Sequence, residues 1–135
     1  MRVFLPGTQF WELPMFNRTA ILAAASAGTM FVASHAAAHA HLVSSTPAAN
    51  ATITSPKTIT LTFNEKLVSA FSRFDLMMPD MNGMKVPVKT AVSKDGKTIT
   101  GAVAKPLMRG AYKIRWTAAG ADGHRMTGEV AFRVG

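Results

Sequence analysis

"GAYKIRWTAAG", residues 110–120, decides the architecture. Tyr112, Ile114 and Trp116 stand two apart and point to one side of an extended chain, while Lys113 and Arg115 point to the other. Bulky apolar residues alternating with cations describe a strand that has one face in a core and one in water. Towards the carboxyl side, "EVAFRVG" (129–135) repeats the alternation. Upstream, "TITLTF" (58–63) sets Ile59, Leu61 and Phe63 against a face of threonines, and "FSRFDLMM" (71–78) puts Phe74, Leu76 and Met78 on one side. "KTITGAVA" (97–104) continues the period of two. Ser55-Pro56, Asn82-Gly83, Asp95-Gly96, Arg109-Gly110 and Asp122-Gly123 supply turns between these runs, and nothing from 39 to 135 has a helical period. The pattern predicts an all-β fold: a Greek-key β-sandwich or small barrel of about seven strands, immunoglobulin/cupredoxin-like. Trp116, Tyr112 and the phenylalanines are expected to carry much of its modest core.

The amino end reads differently. From Met15 the chain runs "MFNRTAILAAASAGTMFVASHAAA", with Arg18 ahead of an apolar stretch from about Ala20 to Ala33 and small residues after it. That is the pattern expected of a secretory signal peptide, with its positive start, apolar middle of ~7–15 residues and A-x-A-like cleavage site. The stretch is short of the about 20 residues that a membrane-spanning helix needs. Residues 1–14, with Glu12, Pro6 and Pro14, fit poorly as its beginning, which points to a start at Met15 or an unusually long leader. "AAA" at 36–38 places the cut before His39, and "AHA" at 38–40 places it before His41. Either register leaves a histidine first. The expected organisation is a leader over 1–38 and one domain over 39–135, released to the periplasm without stable membrane insertion.

Composition removes several function classes. Cysteine is absent, so no disulfide framework or thiolate site exists. Lys and Arg number 15 against 7 Asp and Glu, a formal charge of +8, yet the cations are scattered with no run of three. This describes a solvated basic surface, with no nucleic-acid partner expected. Nucleophilic catalysis finds no G-x-S-x-G and no serine with an evident base, and no glycine-rich phosphate loop is present. Asn50-Ala51-Thr52 matches a glycosylation sequon, a pattern too common to carry weight.

Two groups of residues could serve a metal. In "GADGHRMTGE" (120–129), Asp122 and His124 lie two apart, on one side if the segment is extended. With an amino-terminal histidine alongside, they offer nitrogen and oxygen donors of the kind that suits Cu(II). The same residues also read as an ordinary turn, with Asp capping it, Gly at positive φ and His in solvent. Met78, Met81 and Met84 are spaced by three across "MPDMNGM", wrong for one strand face and interrupted for a helix by Pro79 and Asn82-Gly83. They read either as a loop presenting thioethers, soft donors for Cu(I), or, for Met78, as gap-filling core. Glu65 in "LTFNEKL" follows a strand and precedes a turn, as solvated glutamates often do.

"HAHLVSSTPA", "ITLTFNEKL", "LMRGAYKIRWTAAGADGH" and "MTGEVAFRV" together resemble the copper-resistance protein C (CopC) family of small periplasmic copper carriers, over nearly all of 39–135. The family's opening H-x-x-L-x-S-S falls on His39, Leu42, Ser44 and Ser45, which implies cleavage after Ala38. The resemblance implies a Cu(II) site made of the amine and imidazole of His39, the Asp122 carboxylate and the His124 imidazole. Glu65 matches a glutamate that lies near that site in relatives, orienting a ligand or a bound water. Some relatives also hold Cu(I) in a methionine-rich loop that ends in a histidine and a further methionine. Here "KVPVKTAV" follows Met84, leaving either a weak site of three thioethers or a loop without one. His41 adds another arrangement, because an amino-terminal His39-Ala40-His41 forms a square-planar Cu(II) chelate by itself.

The resemblance thus implies a copper-binding carrier or buffer supporting copper resistance or import, and no enzyme, with a CopD-type inner-membrane copper transporter as its partner. Two other functions are compatible with these residues. A histidine-brace copper oxygenase acting on a polysaccharide would use the same leading histidine, and a metal-free basic interaction domain would use none of it.

Overall fold

The computed structural model describes residues 39–135, so the leader expected over 1–38 lies outside the described residues. In chain order the strands are β1 (Leu42–Thr46), β2 (Thr52–Ile53), β3 (Thr58–Phe63), β4 (Arg73–Met78), β5 (Met84–Val86), β6 (Val88–Val92), β7 (Thr98–Val103), β8 (Gly110–Ala119) and β9 (Arg125–Val134). They form a four-stranded sheet ordered β1-β3-β7-β6 and a five-stranded sheet ordered β2-β9-β8-β4-β5. The chain changes sheet at β1–β2, β2–β3, β3–β4, β5–β6 and β7–β8, the repeated crossings of a Greek-key sandwich. The sheets do not close into a barrel. Nine strands replace the expected seven or so because β2, two residues paired parallel to β9, and β5, three residues, are too short to show a period. Ser69–Phe71 form a 3-10 turn, so β4 begins at Arg73, two residues past the expected start.

The alternation sorts side chains as read from the sequence. Ile59, Leu61, Phe63 and Ile99 from one sheet meet Phe74, Leu76, Met78, Tyr112, Ile114, Trp116, Val130 and Phe132 from the other, all buried. Trp116 lies flat across its cross-strand partner Gly128, where a Cβ would collide with the indole. Phe63 meets that indole edge-on, centroids 5.1 Å apart at 76°. Tyr112 stacks on Phe132 at 5.4 Å and donates its hydroxyl to the Met108 carbonyl at 2.7 Å; burial pushes its phenol pKa up. On the solvent side, Glu129 accepts from Lys113 and Arg115, and Lys113 above all holds its carboxyl below the usual range. Such exposed pairs add little stability.

Strand direction gathers three segments at one end. β1 runs antiparallel to β3 with Leu42 opposite Phe63, so residues 39–41 lie beside those leaving β3. Leu67 bridges Gly120 and the Val68 N–H donates to the Ala119 carbonyl at 2.8 Å, which draws that same segment to the β8–β9 turn. The β4–β5 hairpin sits at the opposite end of β8, with Met78 Cε against Gly110.

Candidate metal centre

The β8–β9 connection is tight. The Gly123 N–H donates to the Gly120 carbonyl at 3.0 Å, and the Gly120 N–H donates to the His124 carbonyl at 3.2 Å. Gly123 takes φ +83°, which suits a residue without a Cβ. Asp122 caps the turn: its Oδ1 accepts the His124 N–H at 3.0 Å, and its Oδ2 lies 2.7 Å from His124 Nδ1. Hydrogen bonding from the His124 ring, then from its backbone N–H, holds the Asp122 carboxyl below its ordinary range. The turn expected of D-G-H is present, and it leaves the carboxylate and the imidazole side by side. The cap is what fixes the imidazole.

His39 completes a cluster. Its ring stands edge-on to that of His124, centroids 5.1 Å apart at 81°. One ligating atom from each of His39, Asp122 and His124 falls within 4.8 Å of the others. A first-row ion with bonds of about 2 Å spaces adjacent donors about 2.8 Å and opposite donors about 4 Å apart, so a small contraction suffices. All three side chains reach solvent, leaving an approach open.

What brings His39 there was not legible in the sequence. Ala40 is 1% exposed and acts as an apolar peg between two exposed histidines. Asn64 grips the backbone on either side of it. Its Oδ1 accepts the His41 N–H at 2.8 Å, its Nδ2 donates to the His39 carbonyl at 3.4 Å, and its own N–H donates to the His41 carbonyl at 3.2 Å. Glu65, next along, lays its carboxylate over Gly120, where a Cβ would collide with Oε1 and stand 3.2 Å from Asp122 Oδ1. The glutamate thus sits behind the cluster, and glycine at 120 makes its seat. The His41 side chain is exposed and outside the cluster.

The methionines divide. Met78 is 5% exposed and belongs to the core, whereas Met81 and Met84 are exposed. Their connection is a hairpin rather than a loose loop: Met78 and Met84 are cross-strand partners, joined through the 3-10 turn Pro79–Met81 and the left-handed Asn82 and Gly83. Met78, Met84 and Met108, with Leu107 and Tyr112, line a cleft of ≈ 430 Å³. Met108 was not singled out in the sequence, since nothing local ties it to the hairpin. The described histidines, His39, His41 and His124, all lie at the other end of β8.

The molecule is thus an open two-sheet β-sandwich with a histidine–aspartate–histidine cluster at one end, and comparison with known proteins makes its class particular. The CopC domain model matches residues 42–135. Copper resistance protein C of Pseudomonas syringae pv. tomato is 43% identical over 125 residues, covering 89% of this chain and 98% of that protein. The crystal structure of PcoC, a methionine-rich copper resistance protein from Escherichia coli, superposes with TM-score 0.66 at 35% identity, covering 73% of this chain and 100% of that one. A stretch 34% identical over 101 residues, 73% of this chain, makes up 18% of copper transport protein CutJ of Bacillus subtilis. The chain belongs to the CopC family.

Proposed function

We propose that the protein carries Cu(II) on His39, Asp122 and His124, with the α-amine of His39 as a further donor once residues 1–38 are removed. Copper binding in copper resistance is the function its family membership supports. The observation that carries the site is the convergence of two imidazoles and a carboxylate within 4.8 Å at an accessible end of the sandwich. Nitrogen and oxygen donors without thiolate favour Cu(II). Glu65 is the group behind the ligands, placed to orient Asp122 or a bound water.

Two features support cleavage after Ala38. A cut after Ala40 would remove both His39 and a core residue 1% exposed. The leader pattern over 1–38 then implies release to the periplasm. A CopD-type membrane copper transporter remains the proposed recipient, and the CutJ likeness supports it, because there a similar segment is continuous with a longer copper transport protein.

A carrier role fits better than a polysaccharide oxygenase. Asp122 adds a carboxylate donor within 4.8 Å of both imidazoles, and Tyr112 and Trp116 are 2% and 7% exposed, unavailable to stack on a sugar. The deciding experiment is mass spectrometry of the secreted protein followed by Cu(II) titration watched by electron paramagnetic resonance. A chain starting at His39 whose type-2 signal disappears in His124→Ala supports the reading. Binding that survives both His124→Ala and Asp122→Ala overturns it.

A further inference from the structure

We infer that Asn64 selects between two copper complexes that the His39–His41 segment can form, holding it to the one shared with Asp122 and His124. The inference rests on the reading that His39 leads the processed chain and shares its ion with those two residues.

An amino-terminal tripeptide with histidine in third place can enclose Cu(II) alone. The amine, the backbone nitrogens of Ala40 and His41 and the His41 ring would form one square plane, the geometry Cu(II) prefers. Such a complex needs the backbone nitrogens of Ala40 and His41 as ligands, each after its N–H proton has been released to water. In the fold the His41 N–H is committed to Asn64 Oδ1 at 2.8 Å. The Asn64 amide also donates to the His39 carbonyl at 3.4 Å, and its own N–H donates to the His41 carbonyl at 3.2 Å. One asparagine thus reads the peptide groups on both sides of Ala40, as a neighbouring strand would, using donor and acceptor of the same side chain. Wrapping the segment round an ion would break all three bonds and draw Ala40, 1% exposed, out of the core. Asn64 directly follows Phe63, 2% exposed at the end of β3, so the grip is mounted on the framework. In its grip the His39 ring stands against that of His124. Asn64 is a positioning residue: it acts on copper through the backbone that it holds.

The test has a metal-free arm and a loaded arm, both on the processed protein. Without copper, Asn64→Ala should raise the exchange rate of the His41 amide about fivefold, the factor set by one net hydrogen bond. Loaded with Cu(II), the wild type should give a resonance and visible spectrum that is lost with His124→Ala. In the Asn64→Ala background the spectrum should shift to that of a synthetic His-Ala-His peptide, become indifferent to His124→Ala and be lost with His41→Ala. Asn64→Asp keeps the acceptor for the His41 N–H and should keep the wild-type spectrum, which guards against a mere folding defect. If Asn64→Ala retains a wild-type spectrum that still depends on His124, the inference falls while the shared site stands. If the wild-type spectrum already matches the peptide and ignores His124, the shared site falls and the inference with it.

Discussion

The two ends of β8 are built on opposite plans. At the histidine end, His39, Asn64 with Glu65, and Asp122 with His124 come from three segments far apart in sequence, and every donor is polar and open to water. At the methionine end one hairpin supplies Met78 and Met84 as cross-strand partners, and Met108 joins them along an apolar cleft. The first arrangement exists only when the whole sandwich has formed. The second is nearly local. Their donors differ as sharply, since imidazole, carboxylate and amine compete with protons for an ion while thioethers do not. The proposed Cu(II) site therefore belongs to the end that folding assembles.

The strongest way to break this contrast is to exchange the effects of the two ends. His124→Ala is expected to lower Cu(II) affinity by at least about 100-fold, beyond the usual range for a group standing behind a ligand. Met84→Leu at the other end should leave that affinity unchanged. Competition with a chelator of known strength measures both, and a comparable loss in the methionine variant would erase the distinction. A finer probe is Glu65→Gln, which keeps the shape over Gly120 and removes the charge. About a tenfold weakening is expected, with the resonance spectrum still dependent on His124. An unchanged affinity would return Glu65 to the role of an ordinary solvated side chain.

The smallest effect concerns acid. The Asp122 carboxyl titrates below its ordinary range when folded, chiefly because of the His124 ring. Its contribution to stability is therefore complete above the unfolded value of about 3.9 and lost as pH falls through the lower folded value. In copper-free protein the urea midpoint should fall between pH 5 and pH 3, and fall less in Asp122→Asn. Asp95 and Glu129, also held below their usual range, keep part of the slope in that variant. Met84→Leu should reproduce the wild-type slope, and a flattened one there would show that the methionine end shares in the acid response.

The sequence made the two ends unequally legible. β3, β4 and β8 were plain because burial on one face imprints a period of two, and Asp95-Gly96 and Asp122-Gly123 marked real turns. β6 went unnamed although Val88, Thr90 and Val92 alternate with Lys89 and Ala91, since Pro87 and its brevity hide it. β1 is largely polar and half exposed, so its pairing with β3 leaves no apolar trace. Asp122 and His124 were visible as a pair, but no spacing could bring His39 to them; donor chemistry could only suppose a leading histidine alongside, and family resemblance named it. Asn64 and Ala40 carried no signal. A grip on backbone atoms across 25 positions uses no motif, and alanine is never conspicuous.

β8 itself has a consequence for traffic. It is laced to β9 along all ten residues and to β4 over half its length, and at about 3.3 Å per residue its ends stand roughly 30 Å apart. A strand tied on both flanks does not bend to bring its tips together. No closing of this strand can therefore bring an ion held at the proposed histidine site to the methionine end, and a carrier built this way takes up and gives up its cargo at one tip.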